Sequence, residues 1–372
     1  MKKMRISFIK FLGLLLLMFA IYPICISCSA DEDASKSEEY AETEFIPESE
    51  TKNYMVSGVD VEDDGDTISL CFSCNKSWTA KSSEDWCSLS VAKGKSGNNR
   101  LQIIVAPNTM LENRDAIVTI GFNDKNYYFI VRQEAARCAV LNNEHPGKLS
   151  GVLGENYLKI EELKLSGSLN GIDIALIIDM GINGELAVLD LSEASIVEGG
   201  TYNSSFPDVS VETKNNEITD YMFVRFNNLT DLILPKNVIK IGKSSIWICP
   251  KLSNIVLPNT LKSIDDQGIS YVPVTKLELP EGLESLGACA LVGLDKLTSI
   301  TLPSTLSSLG AFPFEGTGLK EIHMRSLTPP TCVMINEQND ILNLAILYVP
   351  RGCGGLYGMD SEWGKFKTII EE

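Results

Sequence analysis

His145, ahead of Pro146, and His323, inside an alternating run, are the only two histidines of this 372-residue chain. The sequence has no Gly-x-Ser-x-Gly elbow and no His-Glu-x-x-His pair, so neither a serine triad nor a histidine-held metal is expected. Gly94-Lys95-Ser96 has the end of a phosphate loop, but Leu89 stands where that loop needs its first glycine. Asp60, Glu62, Asp64 and Gly65 have the start of a calcium loop. Its twelfth position is Cys71 rather than glutamate, and the segment reads as a hairpin turn. Cys71 and Cys74 form one C-x-x-C whose odd separation on a strand points the thiols to opposite faces, with no second pair to complete a zinc site. Paired carboxylates of the glycosidase kind are available in so acidic a chain, but they read more simply as solvated surface. The expectation is a protein that is not an enzyme and needs no cofactor or metal.

The elements that must position any remaining chemistry are repeats. LTDLILP begins at Leu229, LSNIVLP at Leu252, VTKLELP at Val274, LTSITLP at Leu297 and LKEIHM at Leu319, a spacing of 22 or 23 residues. Within each copy the fourth and sixth positions are apolar, which is the period of one short strand with both residues facing a core. A unit this short cannot bury its own apolar face, so the copies must stack with their strands in a parallel ladder. Pro235, Pro258, Pro280 and Pro303 end each strand, and second apolar pairs such as Val238 with Ile241 and Leu261 with Ile264 make the far wall. Gly242, Gly287 and Gly310 are expected to supply the positive φ of a tight corner. The L-x-x-L-x-L-P strand and the I-G corner resemble the bacterial surface protein A type of leucine-rich repeat over residues 218 to 350.

IEELKLSG with Leu163 and Leu165, and LAVLDLS with Leu189 and Leu191, read as divergent opening repeats, with Glu198 to Asn216 a surface insertion. LAILYVPRGC supplies a last strand, and the tail with Trp363, Phe366 and Ile369 is expected to cover the open end, since an uncovered coil exposes core. The solenoid is thus expected over 149–350 and its C-terminal cap over 351–372.

Residues 51–136 have a different grammar. Alternating runs at Thr67 to Phe72, Leu101 to Val105, Ala116 to Phe122 and Tyr127 to Val131, separated by turn clusters, indicate a β-sandwich. Trp78, Trp86-Cys87-Ser88-Leu89, Gly97, Asn108, Asn113-Arg114-Asp115-Ala116 and Val131-Arg132-Gln133-Glu134 resemble the BACON domain, an immunoglobulin-like module of gut and oral Bacteroidetes associated by name with carbohydrate binding. The tryptophans themselves read as core, which makes the unit a spacer. The fold class is therefore mainly β, an N-terminal immunoglobulin-like β-sandwich followed by a leucine-rich repeat solenoid.

The N-terminus speaks to location. Met1-Lys2-Lys3-Met4-Arg5 is a positive start and Ile6 to Ile24 an apolar run of signal-peptide length. Ser27-Cys28 resembles the end of a bacterial lipobox, with Cys25 where that pattern usually has leucine, which implies a signal peptide over 1–28, lipidation at Cys28 and membrane attachment through that lipid alone; an ordinary signal-peptidase cut after Ala30 is the alternative that Ser29 and Ala30 leave open. Asp31-Glu32-Asp33 just beyond it resembles the export signal that carries Bacteroidetes lipoproteins to the outer face of the outer membrane. An acidic, disordered tether is expected over 29–50. In such an exported protein Cys249, Cys289, Cys332 and Cys353 fall in different repeat columns and are expected to be mostly free, buried thiols.

Charge narrows the partner. With 32 basic against 49 acidic residues the chain lacks the basic surface that nucleic acid or an anionic bilayer requires. What remains is binding through the outward positions of the repeat strands: Asp231 and Ile233, Asn254 and Val256, Lys276 and Glu278, Ser299 and Thr301, Glu321 and His323. The expected function is a cell-surface lipoprotein that adheres through this face to a host extracellular protein, mucin or glycan. Two alternatives stand beside it: glycan capture through the BACON-like unit, and a structural surface component.

Overall fold

Alternation of apolar and polar residues builds the first layer pair. The computed structural model describes residues 45–122, 125–204, 206–335 and 340–372. Strands β1 (Phe45–Pro47), β3 (Asp66–Cys74), β7 (Gly97–Val105) and β5 (Cys87–Leu89) form one sheet in the order β1-β3-β7-β5. The facing sheet runs β2-β9-β8-β4-β6, from β2 (Val59–Val61), β9 (Lys125–Gln133), β8 (Arg114–Phe122), β4 (Trp78–Ser82) and β6 (Lys93–Gly94). All pairs are antiparallel except β2 with β9. Inward residues of both sheets meet in one core that includes Leu70, Leu101, Val118 and Phe129.

Two sequence expectations change here. The disordered tether was expected through residue 50, yet Phe45 packs between Phe72, Phe122 and Tyr127, and β1 pairs with β3. Burial of that one ring contributes about 1.5–3 kcal/mol, and the pairing of β1 with β3 adds to it. A helix, Ser49–Ser57, follows at once. The turn at Asp63-Asp64-Gly65 is real, with Gly65 at φ 84°, but it joins β2 to β3 across the two sheets and is not a hairpin. The Gly94 of the phosphate-loop-like triplet sits where an added Cβ would lie 2.4 Å from the Trp78 ring, so its role is to admit that tryptophan.

Leucines at every second position then build the solenoid. Its front sheet opens with β10 (Cys138–Asn143), β11 (Glu162–Leu169) and β12 (Val188–Ile196), continues through β13 (Asp231–Ile233) and β14 (Asn254–Val256), and is parallel throughout. The sheet therefore begins eleven residues ahead of the expected boundary at 149. Helix Gly171–Asn183 bridges β11 to β12 and starts on a capping box from Asn170 and Asp173. The segment Glu198 to Asn216 carries a two-stranded ribbon, Thr201–Asn203 against Ser210–Glu212. The back wall is an unbroken six-stranded parallel sheet from Glu217–Ile218 to Thr331–Met334. At the far end Trp363 is fully buried, donates Nε1–H to Pro330 O at 2.8 Å and stacks on Phe366, while Thr368–Glu371 adds the last parallel strand.

The corners do not use the expected glycines. Gly242, Gly287 and Gly310 are not among the left-handed residues; positive φ falls two positions later, on Ser244, Cys289 and Phe312, in one column with Tyr221 and Gln267. The glycines instead permit close stacking. An added Cβ would come within 2.5 Å of Asp220 Oδ1 at Gly242 and of Asp266 N at Gly287, and within 2.3 Å of Ala288 N at Gly310.

Sandwich and solenoid belong to one compact unit joined at Arg137. Its guanidinium donates to Glu161 at 3.0 Å, Glu62 at 2.6 Å and Glu134 at 3.3 Å, and its backbone N–H to Asp63 at 3.0 Å. Leu111 of the sandwich packs on the solenoid core, and its carbonyl accepts from Asn156. The signal peptide, Cys28 and the tether up to residue 44 lie outside the described residues. No described helix is long and apolar enough to cross a membrane.

Candidate functional site

The front sheet does not run through. After β14 the next paired strands are β15 (Ser299–Leu302), β16 (Glu321–Met324), β17 (Ile346–Val349) and β18 (Thr368–Glu371), a separate four-stranded parallel sheet. The copy between them, Val274 to Leu279, was expected to be a strand, but among the described residues no backbone hydrogen bond ties it to either neighbour. The cause is local. At Leu252 and Leu297 the chain closes a four-residue turn, their N–H groups donating to Cys249 O at 3.2 Å and Leu294 O at 3.1 Å. Before Val274 that turn is one residue short. The copy entering at Leu319 is also short, but there Gly318 N–H bonds Leu294 O, whereas Pro273 at the matching place has no N–H to give.

A groove of about 620 Å³ opens along the break, with a smaller one of about 380 Å³ beside it. Leu277 remains in the core, but the sixth-position Leu257 and Leu279 are only half-buried, unlike Leu234, Leu302 and Met324 in the same column. The back wall stays paired behind the gap, through Ile264, Leu286 and Leu309, so the coil is open on its front alone.

Of the outward positions read from sequence, Asn254, Val256, Lys276, Glu278, Ser299 and Thr301 come together along this groove. The rest do not. Asp231 and Ile233 lie one strand upstream, where Asp231 accepts from Asn254 at 2.9 Å and from Thr230 at 2.7 Å. Glu321 and His323 lie downstream. The His323 ring stacks on Tyr348 at 4.5 Å and pairs with Glu372 at 3.0 Å, with Glu321 at 3.7 Å.

Two ion pairs flank the groove. Lys276 Nζ meets Glu278 at 2.5 Å and holds that carboxyl below its ordinary value. Arg325 pairs with Glu281, whose other oxygen accepts from Ser304 N at 3.1 Å and Ser304 Oγ at 3.0 Å; the Arg325 bond first, then these, lower the Glu281 pKa against the opposing effect of burial. Glu281, Arg325 and Asn259 were not read from the sequence as site residues. Each lies just beyond the alternating run of its own copy, where the sequence gives no periodic signal.

The sandwich offers less. Trp78 is 3% exposed, and Trp86 is half-buried under the Arg114 guanidinium, 4.2 Å from its ring. Arg114 is itself held by Gln133, Ala106 O and Pro107 O. All eight described cysteines are free; Cys74, Cys87, Cys249 and Cys353 are buried and Cys138 is exposed.

Residues 216–330 match the family described as BspA type leucine rich repeat region, in six copies, and residues 26–136 match the viral BACON domain. The chain carries BspA-type repeats and a BACON domain. No curated protein matches it. Among solved structures it resembles a Bacteroides ovatus GH5 xyloglucanase bound to a heptasaccharide, at 20% identity and TM-score 0.23, covering 26% of this chain and 20% of that one. It also resembles the pneumococcal vaccine antigen PcpA, at 19% identity and TM-score 0.35 over 59% and 64% of the two chains. A leucine rich cell surface protein of Faecalibacterium prausnitzii matches at 13% identity and TM-score 0.29 over 46% and 55%. The chain thus spans less than two thirds of each of these proteins.

Proposed function

We propose that this protein is a cell-surface lipoprotein, anchored to the outer membrane through Cys28, that adheres to a host extracellular protein, mucin or glycan through the front of its BspA-type repeats. The observation that carries this reading is the break in the front sheet. It gathers polar and half-buried apolar side chains of four successive copies into a groove within the roughly 300–1,000 Å³ range of ligand sites. Its two carboxylates, Glu278 and Glu281, are each engaged by a cation, Lys276 and Arg325, and binding rather than catalysis is the function this arrangement suits. The BACON domain acts as a spacer, since one of its tryptophans is core and the other lies under a guanidinium.

The test is retention of cells displaying the full chain on mucin-coated and fibronectin-coated surfaces. The double charge reversal Lys276→Glu with Glu278→Lys keeps the net charge and alters only the groove. Loss of retention with an unchanged melting temperature supports the reading. Retention that survives this variant but is lost on Trp86→Ala in a folded protein favours glycan capture by the BACON domain, and no retention of wild type on any surface favours a structural role.

A further inference from the structure

We infer that the groove takes a neutral oligosaccharide, an inference that rests on the proposed binding role of the front face. Charge is the first argument. The chain carries a net charge of −17, yet the groove's charged lining is Lys276, Glu278, Glu281 and Arg325, two of each sign and already paired. A polyanion would meet two carboxylates and no cation without its own counter-charge. A polycation would find no spare anion.

Backbone geometry is the second argument. An extended peptide binds a sheet by adding a strand to a free edge. Here the lane between Asn254–Val256 and Ser299–Leu302 is filled by Val274 to Leu279, whose Leu277 side chain is anchored in the core. No lane is left for a guest strand, although the backbone groups flanking the gap remain available to small donors and acceptors.

The lining chemistry completes the case. Asn259, Thr298, Ser299 and Thr301 offer amide and hydroxyl groups, and the two ion pairs offer donors and acceptors side by side. Leu257 and Leu279, partly buried in the floor, present small apolar patches to the C–H faces of a sugar ring. Alternation of polar edge and apolar face is the surface of a neutral pyranose chain. Without an aromatic platform in the groove, single-site affinity is weak and adhesion depends on many copies acting together.

The experiment is a multivalent array probed with the full chain, carrying neutral glycans (mannan, galactan, xyloglucan and N-acetylglucosamine oligomers), acidic glycans (sialylated, sulfated and uronate chains) and the proteins fibronectin and collagen. Expected is binding to one or more neutral glycans, changing less than about twofold between low and high salt because no counterions are released. Ser299→Ile, which fills the groove from an exposed position without adding an aromatic ring, and the charge-neutral pair Glu281→Ala with Arg325→Ala should each lower it about tenfold or more. If a variant fails to fold, hydrogen exchange of the wild-type chain with the bound glycan replaces it, with protection expected at 254–259, 275–281 and 298–301. Preference for acidic glycans with steep salt dependence overturns the inference. Binding to fibronectin or collagen that Ser299→Ile abolishes, with no glycan bound, overturns the ligand class while leaving the groove as the binding site. Glycan binding that ignores both variants, with exchange protection elsewhere, overturns both, and so does an array on which nothing binds.

Discussion

The same repeat column offers a graded probe of the broken sheet. Leu234, Leu257 and Leu302 hold equivalent sixth positions, but Leu234 is 2% exposed and Leu302 fully buried, whereas Leu257 opens into the groove. Truncating Leu234 or Leu302 to alanine removes a full side chain from a closed core and should cost about 2–5 kcal/mol, transfer and cavity together. Truncating Leu257 loses only part of a transfer free energy of about 1.5–3 kcal/mol and leaves no closed cavity, so about 1 kcal/mol is expected. In a repeat array the transition need not be two-state, so the comparison rests on urea midpoints followed by tryptophan fluorescence. With a slope of about 3 kcal/mol per molar, Leu234→Ala and Leu302→Ala should move the midpoint by about 1 M and Leu257→Ala by about 0.3 M. Equal shifts at all three positions would mean that the front sheet is closed in solution and the groove does not exist.

Replacing Arg137 by Gln leaves Glu62, Glu134 and Glu161 facing one another; with the guanidinium about one third exposed, the loss should be about 1–2 kcal/mol, together with a wider small-angle scattering envelope as sandwich and solenoid uncouple. Glu281 has a depressed folded pKa, so its pairing with Arg325 stabilises the protein above the unfolded carboxyl value and that contribution is lost as pH falls through the folded value; Glu281→Gln should flatten this acid limb in melting curves taken from pH 3 to 7. The Cys249 thiol is pushed up to about 12 by burial and should resist alkylation at neutral pH until urea unfolds the repeats, while exposed Cys138 is labelled in the native protein. Cys28→Ala should move the protein out of the membrane fraction and abolish labelling by a palmitate analogue; a mutant that stays membrane-bound and labelled contradicts the anchor.

Much of the fold could be read from the chain because its signals are periodic. Leu232, Ile255, Ile300 and Ile322 announce an inward column by recurrence alone, and the structure buries all four. Non-periodic features were harder. The Gly242, Gly287 and Gly310 column was visible, but whether a glycine serves φ or close approach depends on the neighbouring coil, which no single copy contains. Phe45 looked like the end of an acidic segment because its partners, Phe72, Phe122 and Tyr127, are distant in sequence. The front-face residues were legible as outward positions, yet their division into a groove set and two outlying sets was not. That division follows from one residue missing before Val274 and a proline where a donor is needed. The 22-residue spacing was on the page, but the copy at Leu319 has the same spacing and still pairs, so only the hydrogen bonds tell the two apart.

Hydrogen–deuterium exchange of the full chain, alone and with intestinal mucin, tests the central claim most directly. In the free protein the amides of 275–279 should exchange rapidly while those of 231–233 and 321–324 in the flanking sheets stay protected. Mucin should then slow exchange along 254–259, 275–281 and 298–301 and leave residues 59–133 unchanged. Strong protection of 275–279 in the free protein, or mucin-induced protection confined to the BACON domain, would contradict the account.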